Sequence, residues 1–216
     1  MQDVPFEDRW DAGEKLGRAL NKYRNKSALV LAIPRGGVIV GYQVAKHLKA
    51  DFSLIVSRKL PFPDNPESGF GAIAEDGSTY LHPEARIWLP EKAIQQIIAG
   101  QEKETARRVA VLRKGKPLPE IAGRTAILVD DGIAMGSTMR ATIQTCRNKK
   151  ADRIVVAVPV TSPDTAREFF DLVDDLVVLK TPPFFRAVAQ VYRYWSDLTD
   201  EEVLEVMEKW DREKPS

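Results

Sequence analysis

An apolar run too short for a helix, Ala126–Val129, stops on two adjacent carboxylates, Asp130 and Asp131, and this constrains the chain more than any other feature. A run of this length, apolar throughout rather than alternating, reads as a strand buried on both faces, the kind found in parallel sheets. After the acids come Gly132, Gly136, Ser137 and Thr138, and then Met139, Ile143 and Cys146 at helical spacing. The pattern is strand, loop, helix. A small-residue loop leading into a helix start presents backbone N–H groups and the positive end of the helix dipole to an anion, so it suits a phosphate. The two acids would repel that phosphate and must face something neutral or cationic, such as sugar hydroxyls or a divalent metal. A phosphate on one side and a diol or metal on the other describes a sugar phosphate.

The same alternation recurs along the chain. Residues 8–24 carry Ala12, Leu16, Ala19, Leu20 and Tyr23 at helical spacing, and Ala28–Ile33 is a second buried-type strand. It ends in Pro34-Arg35-Gly36-Gly37, followed by a helix stripe of Val40, Val44 and Leu48. Two glycines allow close approach of the backbone, and Arg35 adds a planar fork suited to phosphate oxygens, although a bare strand-to-helix turn has the same composition. Phe52–Val56 is the next strand, ending in Ser57-Arg58-Lys59, two cations suited to a polyanion. Leu60–Gly71 is broken by Pro61, Pro63, Pro66 and Gly69 and reads as a long loop, with a hairpin turning at Asp76-Gly77 after it. Glu75 is an open candidate for acid chemistry. A helix spans about 90–113, with a highly charged middle. Arg153–Val160 and Leu176–Leu179 are further strands, separated by a helix capped by Ser162-Pro163 with Ala166, Phe169 and Phe170 inward. Residues 181–195 hold Phe184, Phe185, Tyr192, Tyr194 and Trp195, which could fill a core, meet another subunit or wall a flat ligand. Thr199–Glu202 is a capping box for a last helix.

Strands alternating with helices imply an α/β fold, a mostly parallel central sheet with helices on both faces, plus a small hood or appendage. The expected organisation is a single domain over 1–216, with its core in about 28–180 and the aromatic segment 181–216 as hood or oligomer contact. Ligands of such sheets bind outside the carboxyl ends of the strands, where the loops of Arg35, Arg58 and Asp130 would meet. Lys and Arg number 32 against 31 Asp and Glu, a formal charge of +1, so no global field attracts nucleic acid or a membrane. Met1–Trp10 lacks the apolar stretch of a leader, and no apolar run approaches the ~20 residues of a membrane span, so a cytoplasmic protein is expected. The single cysteine, Cys146, falls on a helix face and reads as a core thiol.

The stretch Thr125–Thr142 resembles the phosphoribosyl pyrophosphate (PRPP) loop of the type I phosphoribosyltransferases: apolar strand, two acids, a few variable residues, and a Thr-Gly-Gly-Thr-like phosphate cradle. Pro34–Gly37 resembles the same family's short pyrophosphate loop, and Arg58-Lys59 its basic pair after the next strand. The resemblance spans about 28–180. With Phe6-Glu-Asp-Arg and the aromatic tail, it is similar to members whose substrate is unassigned. It implies transfer of 5-phosphoribose from PRPP to an acceptor, a nucleobase-like ring nitrogen, with release of pyrophosphate. It gives Asp130 and Asp131 to the ribose hydroxyls and, directly or through ribose or water, to Mg²⁺. Ala134, Met135, Gly136, Ser137 and Thr138 fall to the 5-phosphate. Arg35, Gly36, Gly37, Arg58 and Lys59 fall to pyrophosphate, with Arg58 and Lys59 counted among the catalytic residues beside the two acids. The expected partners are PRPP, a small-molecule acceptor and a second copy of the chain. Ala134 stands where several members carry an aspartate, and Met135 stands where threonine is usual. A non-catalytic sensor of PRPP or nucleotides on the same fold is the alternative.

Overall fold

The computed structural model describes residues 5–214. The chain runs through α1 (Arg9–Ala19), β1 (Ala28–Ala32), α2 (Gly37–Leu48), β2 (Asp51–Leu54), β3 (Ser57–Phe62), β4 (Asn65–Ala74), β5 (Thr79–Leu81), α3 (Ala85–Trp88), α4 (Glu91–Leu112), β6 (Thr125–Val129), α5 (Ser137–Asn148), β7 (Arg153–Val160), α6 (Pro163–Phe170), β8 (Asp175–Lys180) and α7 (Asp200–Glu213). Five strands form a parallel sheet in the order β2-β1-β6-β7-β8, and β3-β4-β5 form a separate antiparallel sheet.

The apolar strands are continuous because the parallel sheet is covered on both sides. Successive residues point to opposite faces, so Val30, Ala32, Ile127 and Val129 join one core with α2 and α7, while Leu29, Leu31, Ala126 and Leu128 join the other with α5. On α5 the helical stripe Met139, Ile143 and Cys146 is fully covered, and each larger side chain contributes about 1.5–3 kcal/mol by leaving water. Burial pushes the Cys146 thiol up to about 12, so it behaves as a core residue. On α6 only Phe169 is buried; Phe170, expected inward, is exposed because it falls one residue past the covered stripe.

Two regions differ from the sequence reading. Residues 60–71, expected as an irregular loop, form most of a β-hairpin in which β3 pairs with β4, with register shifts around Leu60, Pro61 and Phe62. The prolines interrupt the pairing without preventing it, since Leu60 and Phe70 pack into a small apolar cluster with Ile94 of α4. The hood is therefore built from β3–β5 and α4, whereas α7, within segment 181–216, packs in the main core. Trp210 of α7 meets Tyr42 and Phe52 with ring centroids 6.1 and 5.3 Å away. The hairpin at Asp76-Gly77 is as expected, and Thr145 of α5 donates to Asp76 at 2.7 Å, tying hood to sheet.

The segment before α1 pairs with the segment between β8 and α7. Phe6 bridges Tyr192, the Phe6 N–H donates to the Val191 carbonyl at 3.1 Å, and the Arg193 N–H donates to the Phe6 carbonyl at 2.9 Å. This pairing fixes the start of α1 beside the carboxyl ends of the strands. Among the described residues no helix is long and apolar enough to cross a membrane. Residues 1–4 of the stretch read for a leader lie outside the described residues.

Candidate active site

The loop after β6 builds a cavity of about 300 Å³ lined by Asp130, Ala134–Thr138 and Lys59. Its floor is the start of α5. Gly136 precedes that helix with φ 79°, a left-handed conformation, and a Cβ there would stand 2.6 Å from the Phe169 ring. No side chain caps this helix start, so the first N–H groups of α5 remain available to a ligand. The Met135 side chain is 66% exposed and supplies no hydroxyl.

A second cavity, of about 320 Å³, lies along the same sheet edge and is lined by Arg9, Arg35, Arg58, Arg108, Asp131 and Trp195, among others. Its members come from α1, the loop after β1, the hood strand β3, the hood helix α4, the loop after β6 and the C-terminal segment. Gly36 and Gly37 turn the chain from β1 into α2 against the acids. A Cβ on Gly36 would collide with the Asp131 carboxylate, and one on Gly37 would lie 2.7 Å from the Val129 carbonyl and 2.9 Å from the Asp130 Cα.

The two cavities share the tandem acids, Asp130 in one and Asp131 in the other. The basic pair divides in the same way. Arg58 and Lys59 are not at a strand end, as the sequence suggested, but inside β3, where neighbours alternate, so Arg58 lines the arginine cavity and Lys59 lines the cradle. Lys59 also donates to the carbonyl of Glu67.

A buried carboxylate, Asp131, beside a half-buried one, Asp130, needs compensation. Arg9 supplies it for Asp131: its Nε donates to Oδ2 at 2.8 Å, another nitrogen donates to the Ser196 carbonyl at 2.8 Å, and the guanidinium lies 3.8 Å from the Trp195 ring centre. The Tyr192 hydroxyl donates to the Asp131 carbonyl at 2.7 Å. The start of α2, without a side-chain cap, adds the positive end of its dipole. Asp130 accepts only the Asp131 N–H, at 2.8 Å, and pairs with no cation among the described residues. Burial, reinforced by the charge of Asp131, pushes its carboxyl well above the usual range. Burial also raises Asp131, against the pull of Arg9. Across the arginine cavity, burial and then Arg108 hold the Arg58 guanidinium below its usual value.

The structure thus gathers Asp130, Lys59 and Ala134–Thr138 around one cavity and Arg35, Gly36, Arg58 and Asp131 around the other, with Gly37 packed behind the acids. Glu75 is outside both. It is buried in an ion pair with Arg113, one of whose nitrogens lies 2.8 Å from Oε1, and Arg113 also donates to the Leu54 carbonyl, so it ties the hood to the edge strand. Sequence reasoning missed Arg108, and it noted Arg9 in the Phe6-Glu-Asp-Arg motif and Trp195 among the tail aromatics without giving either a place beside Asp131. For Arg108 a signal exists: Gln101, Thr105 and Arg108 repeat along one face of the charged middle of α4, and that face turns inward. Thr105 is 2% exposed there, and Arg58 Nε donates to Gln101 at 3.3 Å.

Comparison with known proteins gives the family and the fold. The family model of the phosphoribosyl transferase domain matches residues 10–194, and the chain belongs to the phosphoribosyltransferase family. A Mycobacterium tuberculosis protein that carries the name phosphoribosyl transferase provisionally is 39% identical over 210 residues, covering 96% of this chain and 47% of the relative. The chain spans about half the length of the curated relatives it matches. The crystal structure of TT1426 from Thermus thermophilus superposes with a TM-score of 0.80 at 34% identity, covering 95% of this chain and 98% of that one. A hypoxanthine phosphoribosyltransferase from Staphylococcus aureus, 13% identical, shares the fold with a TM-score of 0.50 over 82% of this chain and 74% of its own.

Proposed function

We propose that the chain transfers the 5-phosphoribosyl group of PRPP to a small-molecule acceptor, a nucleobase-like ring nitrogen, and releases pyrophosphate. The observation that carries this reading is the pair of anion-suited cavities on one sheet edge, separated by two carboxylates. A ligand with a phosphate at one end, a diphosphate at the other and a sugar between them matches that order. The 5-phosphate would take the N–H groups at the start of α5 together with Ser137 and Thr138, and the diphosphate would take Arg35 and Arg58. The acceptor nitrogen would bond to the anomeric carbon as the carbon–oxygen bond to pyrophosphate breaks, the electron pair leaving with pyrophosphate and the acceptor's proton passing to solvent. Positive charge that develops on the ribose would fall beside Asp130, which no internal cation neutralises, and the charge of the leaving group would fall beside the guanidiniums.

Magnesium fits this arrangement in a limited way. Among the described residues no group of three metal-ligating side chains converges, so the protein offers no cage. A hard cation carried mainly by the diphosphate and water needs one protein carboxylate, and Asp130 meets that need, while Asp131 is held by Arg9. When bound, the ion would neutralise charge on the leaving group. Self-association and a cytoplasmic setting remain part of the proposal; Phe184, 84% exposed, and Tyr194, 66% exposed, are candidates for a contact between copies.

The test is release of pyrophosphate from PRPP and Mg²⁺ across a panel of nucleobases and related heterocycles. Acceptor-dependent release supports the transferase. PRPP binding by calorimetry with no release across the panel would favour the sensor instead, and absence of PRPP binding would remove both.

A further inference from the structure

The hood helix α4 sends one arginine into the arginine cavity that the chemistry above has not used. Arg108 is largely buried, with its side chain 13% exposed, and its Nε has no hydrogen-bond partner. The acid nearest it, Glu104, lies 3.5 Å away, and both of that acid's oxygens already accept from Arg107 at 2.8 Å. The guanidiniums of Arg35 and Arg58 line the same cavity. The whole lining holds four arginines against Asp131 and Asp197, two positive charges in excess. Arg9 and Asp131 satisfy each other and Arg35 leans on Asp200 at 3.7 Å, outside the lining, so the excess falls chiefly on Arg58 and Arg108. Glu104 is an ion-pair partner that Arg108 shares with Arg107, and an arginine kept only for packing would be given an acid of its own, because a poorly compensated buried charge is costly. Across the cavity the nearest companions of Arg108 have the same sign.

We propose that Arg108 is a diphosphate-binding residue, reaching from the hood helix to complete with Arg35 and Arg58 a site for the leaving group of PRPP. The assignment rests on the transferase reading for its ligand, and on the convergence of three guanidiniums for its location. It gives the hood a chemical part in binding: α4 contributes Arg108 and β3 contributes Arg58, so the site is complete only when the hood is docked on the sheet. Magnesium pyrophosphate, which is anionic and offers several acceptor oxygens, suits a cavity with this excess of forked donors.

Calorimetry with inorganic pyrophosphate and Mg²⁺, and separately with ribose 5-phosphate, tests this on the wild-type chain, Arg108→Gln and Arg108→Lys. Arg108→Gln is expected to weaken pyrophosphate binding about ten- to hundredfold. Arg108→Lys should recover part of that loss, and ribose 5-phosphate affinity should stay within about twofold because its phosphate belongs to the other cavity. The melting temperature of ligand-free Arg108→Gln should equal or exceed that of wild type, since a repelling charge has been removed. Unchanged pyrophosphate affinity in Arg108→Gln, with binding by wild type intact, would overturn the role of Arg108 and leave the transferase reading standing. A lower melting temperature with equal losses for both ligands would make Arg108 a structural residue. No pyrophosphate binding by wild type would remove the transferase reading itself.

Discussion

The two cavities beside Asp130 and Asp131 are suited to negative charge by different means. The cradle comes chiefly from one continuous loop, and its positive character lies in backbone N–H groups at the start of α5. The arginine cavity is assembled from side chains that lie far apart in sequence, from Arg9 to Trp195. A backbone site is rigid and of modest charge, so it depends on a loop shape that few residues allow. A guanidinium site carries full charges and depends on every distant element arriving in place. Damage to the first should be local, and damage to the second should spread through the fold.

The largest expected effect comes from Arg9→Met, which leaves Asp131 buried without its partner. It should cost about 3–5 kcal/mol in urea unfolding, and adding Asp131→Asn should restore most of that. If the single variant is as stable as wild type, the arginine cavity does not depend on distant elements in the way described. Next is Gly136→Ala in the cradle, which imposes a Cβ on a left-handed residue against Phe169. It should cost about 2–3 kcal/mol and abolish ribose 5-phosphate binding while sparing pyrophosphate binding, read by calorimetry. A third effect is the pH dependence of Asp130. Its native pKa is raised, so the folded state holds the proton more tightly than the unfolded chain. Relative to Asp130→Asn, wild type should therefore lose stability as pH rises from the ordinary aspartate value of 3.8 to the raised native value, by at most about 1.4 kcal/mol per pH unit. A difference that grows in wild type's favour over that window would contradict the burial described. The smallest effect is Met135→Thr, which adds a hydroxyl to the cradle and should tighten ribose 5-phosphate binding by about 1 kcal/mol.

The cradle could be read from sequence because its determinants are adjacent: strand, two acids, glycine, hydroxyls and a helical stripe within Thr125–Thr142. The alternation of buried strands with helices likewise carried the parallel sheet and the edge at which its loops gather. The hood was harder. Prolines at 61, 63 and 66 argued for a loop, yet Leu60 and Phe70 find a covered apolar cluster, and that packing outweighs the lost pairing. Arg58 and Lys59 were found as residues but not as opposites, because whether a basic pair ends a strand or lies within one decides whether its members share a face. Arg9 was hidden for another reason. On its own segment it looks like an ordinary first-turn helix residue, and only the pairing of Phe6 with Tyr192 carries it to Asp131.

That pairing has a consequence for the order in which a newly made chain acquires its chemistry. On a translating ribosome the cradle loop is made well before Tyr192 and Trp195. Arg9 by then has long left the exit tunnel, but Tyr192 and Trp195, which seat it against the second acid, are still to be made. An unfinished chain can therefore carry the loop after β6 while Asp131 waits for its counter-ion until the segment around Trp195 has been made.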